Sequence, residues 1–226
     1  MLHIEYVCTG NNGRSPMVET IAKAYVSESG LQDIVVVSSS GSGLNALFQP
    51  SGDAAKMEKL SFISLGLHNR VYGSNVVNSS DVVNPAIRSP YKTMATSVLD
   101  KGLAANDDDV QICLDFLIWA EGIFRNMALA NIGLMANGTY HTPTEPRGDV
   151  NVVLPMAHSN VVQVRAIYEG SRFAPPHIEA LNQYVQMEGD VPNPFCQLLP
   201  AYEQCRDYLM VAVPKTIDRA VREILG

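Results

Sequence analysis

At 226 residues, with 46% hydrophobic and 17% charged positions, the chain can bury a sizeable core and is too apolar to be disordered. A formal net charge of −7 argues against nucleic-acid binding, and no run of about eighteen apolar residues offers a membrane span. Four cysteines (Cys8, Cys113, Cys196, Cys205) show neither Cys-x-x-Cys nor zinc spacing, the five histidines are scattered, and no leader pattern precedes the first strand. Reduced thiols, a cytoplasmic setting and no metal or other cofactor are therefore expected.

The first predicted element is a short buried strand ending at Val7. A loop of two glycines and two asparagines follows, types that tolerate unusual backbone angles. A helix then runs to about Ser29, with Ser15 expected as its N-cap and Pro16 in its first turn. Cys8 thus stands where a strand ends and Arg14 where a helix begins. The five residues between them, Thr9, Gly10, Asn11, Asn12 and Gly13, are few enough to curl their N–H groups around one tetrahedral oxyanion. The helix N-terminus adds its dipole to the same point. Such donors, with Arg14, favour a thiolate at Cys8, and the Arg14 guanidinium can fork onto two oxyanion oxygens.

This stretch resembles the signature of the low-molecular-weight protein tyrosine phosphatases, Cys-x-Gly-Asn-x-x-Arg-Ser-Pro after a strand. Cys8, Gly10, Asn11, Arg14, Ser15 and Pro16 match it. The resemblance implies Cys8 as nucleophile, Arg14 as phosphate clamp, Ser15 as donor to the thiolate and Asn11 as the pin of the loop. The same family includes arsenate reductases.

Next along the chain, Ile34 to Ser38 is a β-branched run read as a buried parallel strand. Its Ser/Gly continuation matches a family turn packed on the phosphate loop, which implies that Ser40 to Ser42 buttress Asn11. Residues 51–65 suit a helix with Ala54, Ala55, Met57, Leu60 and Ile63 along one side, closed by Gly66. Residues 69–90 read as loop. From Tyr91 to about Asn137 the pattern is helical, with Asp107, Asp108 and Asp109 at a helix start and an almost wholly apolar continuation. The family has no counterpart for this part, which reads as a helical subdomain inserted at 85–147 into an α/β domain of 1–84 and 148–226. It offers a lid or a homodimer surface, and Cys113 is expected to pack within it as a small hydrophobe.

The resemblance resumes with a strand ending at Met156 and a helix opened by Ser159-Asn160, with His158 at the strand's edge. His177 to Leu181 reads as the last strand, and Leu199 to Leu225 as a helix that Pro214 kinks or breaks. Between them, Asp190-Val191-Pro192-Asn193-Pro194-Phe195 resembles the family's general-acid loop, but Asn193 stands where the family has aspartate. An amide donates no proton to a leaving oxygen, and such assistance is typically worth about 10²–10⁴-fold. Asp190 is the nearest alternative acid, and Phe195 is expected as an aromatic wall for substrate.

The expected fold is α/β, a four-stranded parallel sheet (about 2–8, 33–39, 150–156 and 177–182) with helices on both faces and the site at the strands' C-terminal ends. The expected activity is phosphomonoester hydrolysis through a phosphocysteine. Its substrate would be a phosphorylated protein, phosphotyrosine being the family's usual one, or a small phosphomonoester. Two alternatives remain: an arsenate reductase, for which Cys196 is the nearest second thiol, and an oxyanion- or phosphoprotein-binding module without turnover, which Asn193 motivates.

Overall fold

The computed structural model describes residues 1–48, 52–72, 93, 95–136, 141–195 and 197–226, with backbone alone at 48 and 65–72. The reading of 73–90 as loop, positions 91, 92, 94 and 137–140 of the insertion, and Cys196 lie outside the described residues. Leu2–Cys8 forms β1, buried at every position. It pairs in parallel with β2 (Val35–Gly41) on one side and β3 (Val152–Pro155) on the other, and β4 (His177–Ile178) adds to β3, giving the order β2-β1-β3-β4. Side chains alternate across a strand, so β1 serves two layers. Leu2, Ile4, Tyr6 and Cys8 join the main core with α1 (Arg14–Glu28) and α8 (Leu199–Ile224), whereas Val7 packs with Val153, Val164 and Tyr168 under α6 (His158–Tyr168). The result is an α/β domain with helices on both faces.

Three further helices follow β2 in the chain: α2 (Leu44–Phe48), α3 (Gly52–Tyr72) and α4, helical over 95–101. After a 3-10 turn at Gly102–Ala104 comes α5 (Asp107–Ala130), capped by Asn106, whose side chain accepts from the Asp109 N–H at 2.7 Å. Its first half closes a satellite cluster with α3 and α4 around Leu60, Ile63, Val98, Cys113 and Leu117. Cys113 is fully buried there, and burial pushes its thiol up to about 11. The second half, through Phe124, Ala128 and Leu129, reaches the main core beside α8. Its outer side keeps Ile112, Trp119, Ile123 and Met127 exposed.

Several sequence expectations are corrected. β2 is an edge strand with Val36 exposed, as is Ile34 just before it, and it runs on through Ser38, Ser39 and Ser40 to Gly41, so those serines are sheet rather than turn. Gly66 does not end α3, which continues to Tyr72, and Met57 faces solvent. The last strand is only two residues long, because Leu181 already begins α7 (Leu181–Tyr184). Pro214 does not break α8, which runs unbroken from Leu199 to Ile224.

Candidate active site

Cys8 ends β1 in the middle of the sheet, with strands on both sides, and is 4% exposed. Ser15 is the second residue of α1 and not its N-cap: the helix starts at Arg14 after Gly13, with no side-chain cap. Its hydroxyl donates to Cys8 Sγ at 3.0 Å and lies 3.2 Å from the Ser40 carbonyl oxygen. A hydroxyl aimed at a sulfur stabilises that sulfur's anion.

The intervening loop is braced from every side. Asn11 is fully buried at a φ of 45°, in the left-handed region asparagine tolerates. Its Nδ2 donates to Ser39 Oγ at 2.8 Å and Ser15 Oγ at 3.2 Å, and its Oδ1 accepts from the Thr142 N–H at 2.9 Å. Of the serines at 38–42, the one whose side chain bonds Asn11 is therefore Ser39, not Ser40 or Ser42. Ser40 instead pairs its hydroxyl with Thr144 at 2.7 Å, and Ser42 bonds the Cys8 carbonyl, by N–H at 2.9 Å and by hydroxyl at 3.3 Å. Gly41 lets the strand pass closely, since a Cβ there would lie 2.7 Å from the Thr9 carbonyl oxygen. Thr9 accepts from Asn160 Nδ2 at 3.1 Å. Within the backbone hydrogen-bond network of the described residues, no N–H of residues 9–13 donates. Lying beside the start of α1, those donors suit a tetrahedral anion.

Arg14 is buried and donates from Nη1 to the Val191 carbonyl at 3.3 Å, which brings the Asp190–Phe195 segment to the loop. Asn193 is exposed, and its Oδ1 accepts from the Phe195 N–H at 3.3 Å. Asp190 caps α6, accepting from the His158 N–H at 2.9 Å. Phe195 is not a wall for substrate: it is 3% exposed, with its ring 4.2 Å from that of Phe62 in the satellite cluster. His158 is exposed at the start of α6.

Sequence reading did not foresee the part played by α5. Asn12 turns its side chain away from the cradle, donating to the Ile118 carbonyl and to Glu121 Oε2, the latter at 3.2 Å. Arg125, 1% exposed, donates to the Asn12 carbonyl. His141, its pKa lowered by burial, bonds the Gly10 backbone with its ring and the Asn11 carbonyl with its own N–H, the latter at 3.1 Å. Charged residues on a helix ordinarily mark its solvated face, so nothing in the pattern singled out Glu121 or Arg125. Asn160, by contrast, stood at a helix start beside a strand end, where such contacts concentrate.

A buried thiol under a hydroxyl donor, an anion-shaped loop and an arginine at a helix start, on this sheet, define a cysteine-dependent hydrolase of the phosphatase type. Residues 3–84 match the model of the family described as low molecular weight phosphotyrosine protein phosphatase. No curated protein matches the chain. Among solved structures, the fold is similar to a YwlE mutant from Bacillus subtilis (20% identity, TM-score 0.52, covering 97% of this chain and 98% of that one). It is also similar to a protein tyrosine phosphatase from Entamoeba histolytica (11%, TM-score 0.55, 99% of each chain) and to DARP, a drosophila arginine phosphatase (16%, TM-score 0.53, 96% of each). At these identities the likeness to the solved structures is one of fold.

Proposed function

We propose that the protein hydrolyses phosphorylated substrates through a phosphocysteine on Cys8. The observation that carries this reading is the 3.0 Å bond from Ser15 Oγ to Cys8 Sγ, beside a loop whose N–H groups donate to no backbone acceptor among the described residues. The sulfur attacks phosphorus in line while the loop and Arg14 hold the equatorial oxygens, and the bond from phosphorus to the leaving oxygen breaks. Water then attacks the same phosphorus, the S–P bond breaks and the thiolate returns. Thr9, Gly10 and Gly13 contribute backbone to the cradle, and Asn12 contributes its backbone alone.

The substrate we infer is a phosphoprotein, with phosphotyrosine first because of the family that residues 3–84 match. Phosphoarginine belongs in the same panel, since DARP is an arginine phosphatase. Asn193 favours a second reading, an oxyanion-binding module without turnover. Assay with p-nitrophenyl phosphate separates the two. Hydrolysis that Cys8→Ser abolishes, with inorganic phosphate still bound, supports catalysis; phosphate binding with no native turnover supports the module. Arsenate reduction needs a second thiol, and an arsenate-dependent oxidation of thiols would favour it.

We further propose that 85–147 is an insertion, in keeping with a family match that stops at residue 84, and that the exposed stripe of Ile112, Trp119, Ile123 and Met127 pairs two copies. Sedimentation equilibrium should give a dimer that Trp119→Asp splits; a native monomer at all concentrations overturns this. The free thiols Cys8, Cys113 and Cys205 suit the cytoplasm, and no described helix is long and apolar enough to cross a membrane.

A further inference from the structure

Two charged residues sit four apart on the inward face of α5, Glu121 at 8% and Arg125 at 1% exposure. A helix face pressed into a core is ordinarily apolar, because a buried charge without partners is costly. Both side chains meet the oxyanion loop. Glu121 Oε2 accepts from Asn12, and its Oε1 occupies the space beside Gly13, where a Cβ would come within 2.0 Å of it. Glycine at 13 thus opens the room this carboxyl fills.

The groups facing Glu121 come from each element packed around it. Arg14 lies at the start of α1 and Arg125 one turn along α5, with His141 beyond Arg125. From α8, the Cys205 thiol interacts with Glu121, Arg14 and Cys8 alike. The carboxyl therefore shares its electrostatic surroundings with the nucleophile and the clamp. Its anion balances Arg14 and Arg125, but it also repels any dianion held by the same loop and the same Arg14.

Resting on the reading of the loop as an oxyanion cradle, we propose that Glu121 is a positioning residue that couples oxyanion binding to the uptake of one proton on its carboxyl. Neutral Glu121 keeps its place against Asn12 and Gly13 and leaves Arg14 wholly to the ligand. Ionised Glu121 competes for Arg14 and opposes the ligand's charge. Burial pushes this carboxyl up to about 7, so both forms are in play near neutrality. The sign follows by linkage: a ligand that raises the group's proton affinity must bind more weakly as pH climbs above that point.

Tungstate is the probe, because it remains a dianion where phosphate itself titrates. Its binding to the full chain is followed by calorimetry from about pH 6 to about pH 9, in buffers of differing ionisation enthalpy, in a Cys8→Ser background. That background removes the thiol as a source of protons, and Cys205, pushed up by burial to about 12, stays a thiol throughout. Expected is uptake approaching one proton per tungstate above about pH 7.5, with affinity falling close to tenfold per pH unit there. Adding Glu121→Gln should leave binding in place, abolish the uptake and flatten the profile. Binding with no proton uptake in the Cys8→Ser protein overturns the coupling whether or not the Gln variant folds, and so does equal uptake in both proteins. No tungstate binding at all overturns the oxyanion cradle itself, a separate failure.

Discussion

Asn193 is exposed, and its Oδ1 already accepts from the Phe195 N–H, a bond an aspartate oxygen could make equally well. On the reading of this segment as the general-acid loop, Asn193→Asp should therefore keep the local fold and supply the acid that the amide lacks. With the native amide, the leaving group carries off its own negative charge, so rate should track its acidity. Phenyl phosphate, whose phenol has a pKa near 10, should be cleaved far more slowly than p-nitrophenyl phosphate. Asn193→Asp should raise kcat/KM for the poor leaving group by roughly 10²–10⁴-fold and help the activated one less. Equal native rates for the two substrates, reduced by Asp190→Asn, would instead make Asp190 the acid, at the expense of its cap on α6. Much at this scale was legible from sequence, because Cys8, Arg14 and Ser15 lie within eight consecutive residues and local geometry brings them together. The partner of Asn11 was not. Ser39 stands opposite Tyr6 in the parallel pairing of β1 and β2, and a shift of one position along a strand changes its face. Ser39 and Ser40 cannot be told apart until that register is known.

Between elements, the contact that decides the site is α5 against the loop. Gly13→Ala tests it, since the new methyl would fall 2.0 Å from Glu121 Oε1 in a buried place. Overpacking of this kind costs about 1–3 kcal/mol. Urea denaturation should show that loss in Gly13→Ala and a clearly smaller one when Gly13→Ala is made in a Glu121→Ala protein, because the clash needs both side chains. Strictly additive effects would mean that Glu121 does not fill that space. The sequence announced α5 by its acidic first turn and apolar run, yet gave no sign of where the helix packs. Its two inward charges resemble surface residues, and only the three-dimensional meeting with Asn12 and Gly13 gives them another meaning. Phe195 failed in the opposite sense. An aromatic residue in a loop reads as a contact surface, but Phe62 and the satellite cluster cover it.

For the molecule as a whole, Glu121 should also mark the stability curve. Its carboxyl titrates at about 7 in the folded protein against an ordinary 4.5, so between those values the folded state holds a proton that the unfolded chain has released. Stability from this group is complete below about pH 4.5 and declines as pH rises to about 7, by on the order of 3 kcal/mol. Glu5, also raised by burial, pulls the same way. Urea midpoints should therefore fall between about pH 5 and about pH 8, and Glu121→Gln should remove much of that slope. An unchanged slope in the Gln variant would assign the effect elsewhere. The order of the main elements was readable at this scale, since buried β-branched strands alternate with helices. The width of the last strand and the edge position of β2 were not, because both depend on which strands become neighbours.

That neighbour relation has a consequence in time. β1 is central in the finished sheet, but the backbone of His3 bonds Asn151, 148 residues further along the chain. At about 5–20 residues per second of synthesis, β1 waits roughly 7 to 30 s for β3. Through that interval β2 is the one sheet partner already made, and the opposite side of β1 presents an unpaired ladder edge of the kind that invites foreign strands. The strand bearing Cys8 is thus born as an edge and becomes interior only late, which makes the nascent chain, more than the finished protein, the species in need of a chaperone.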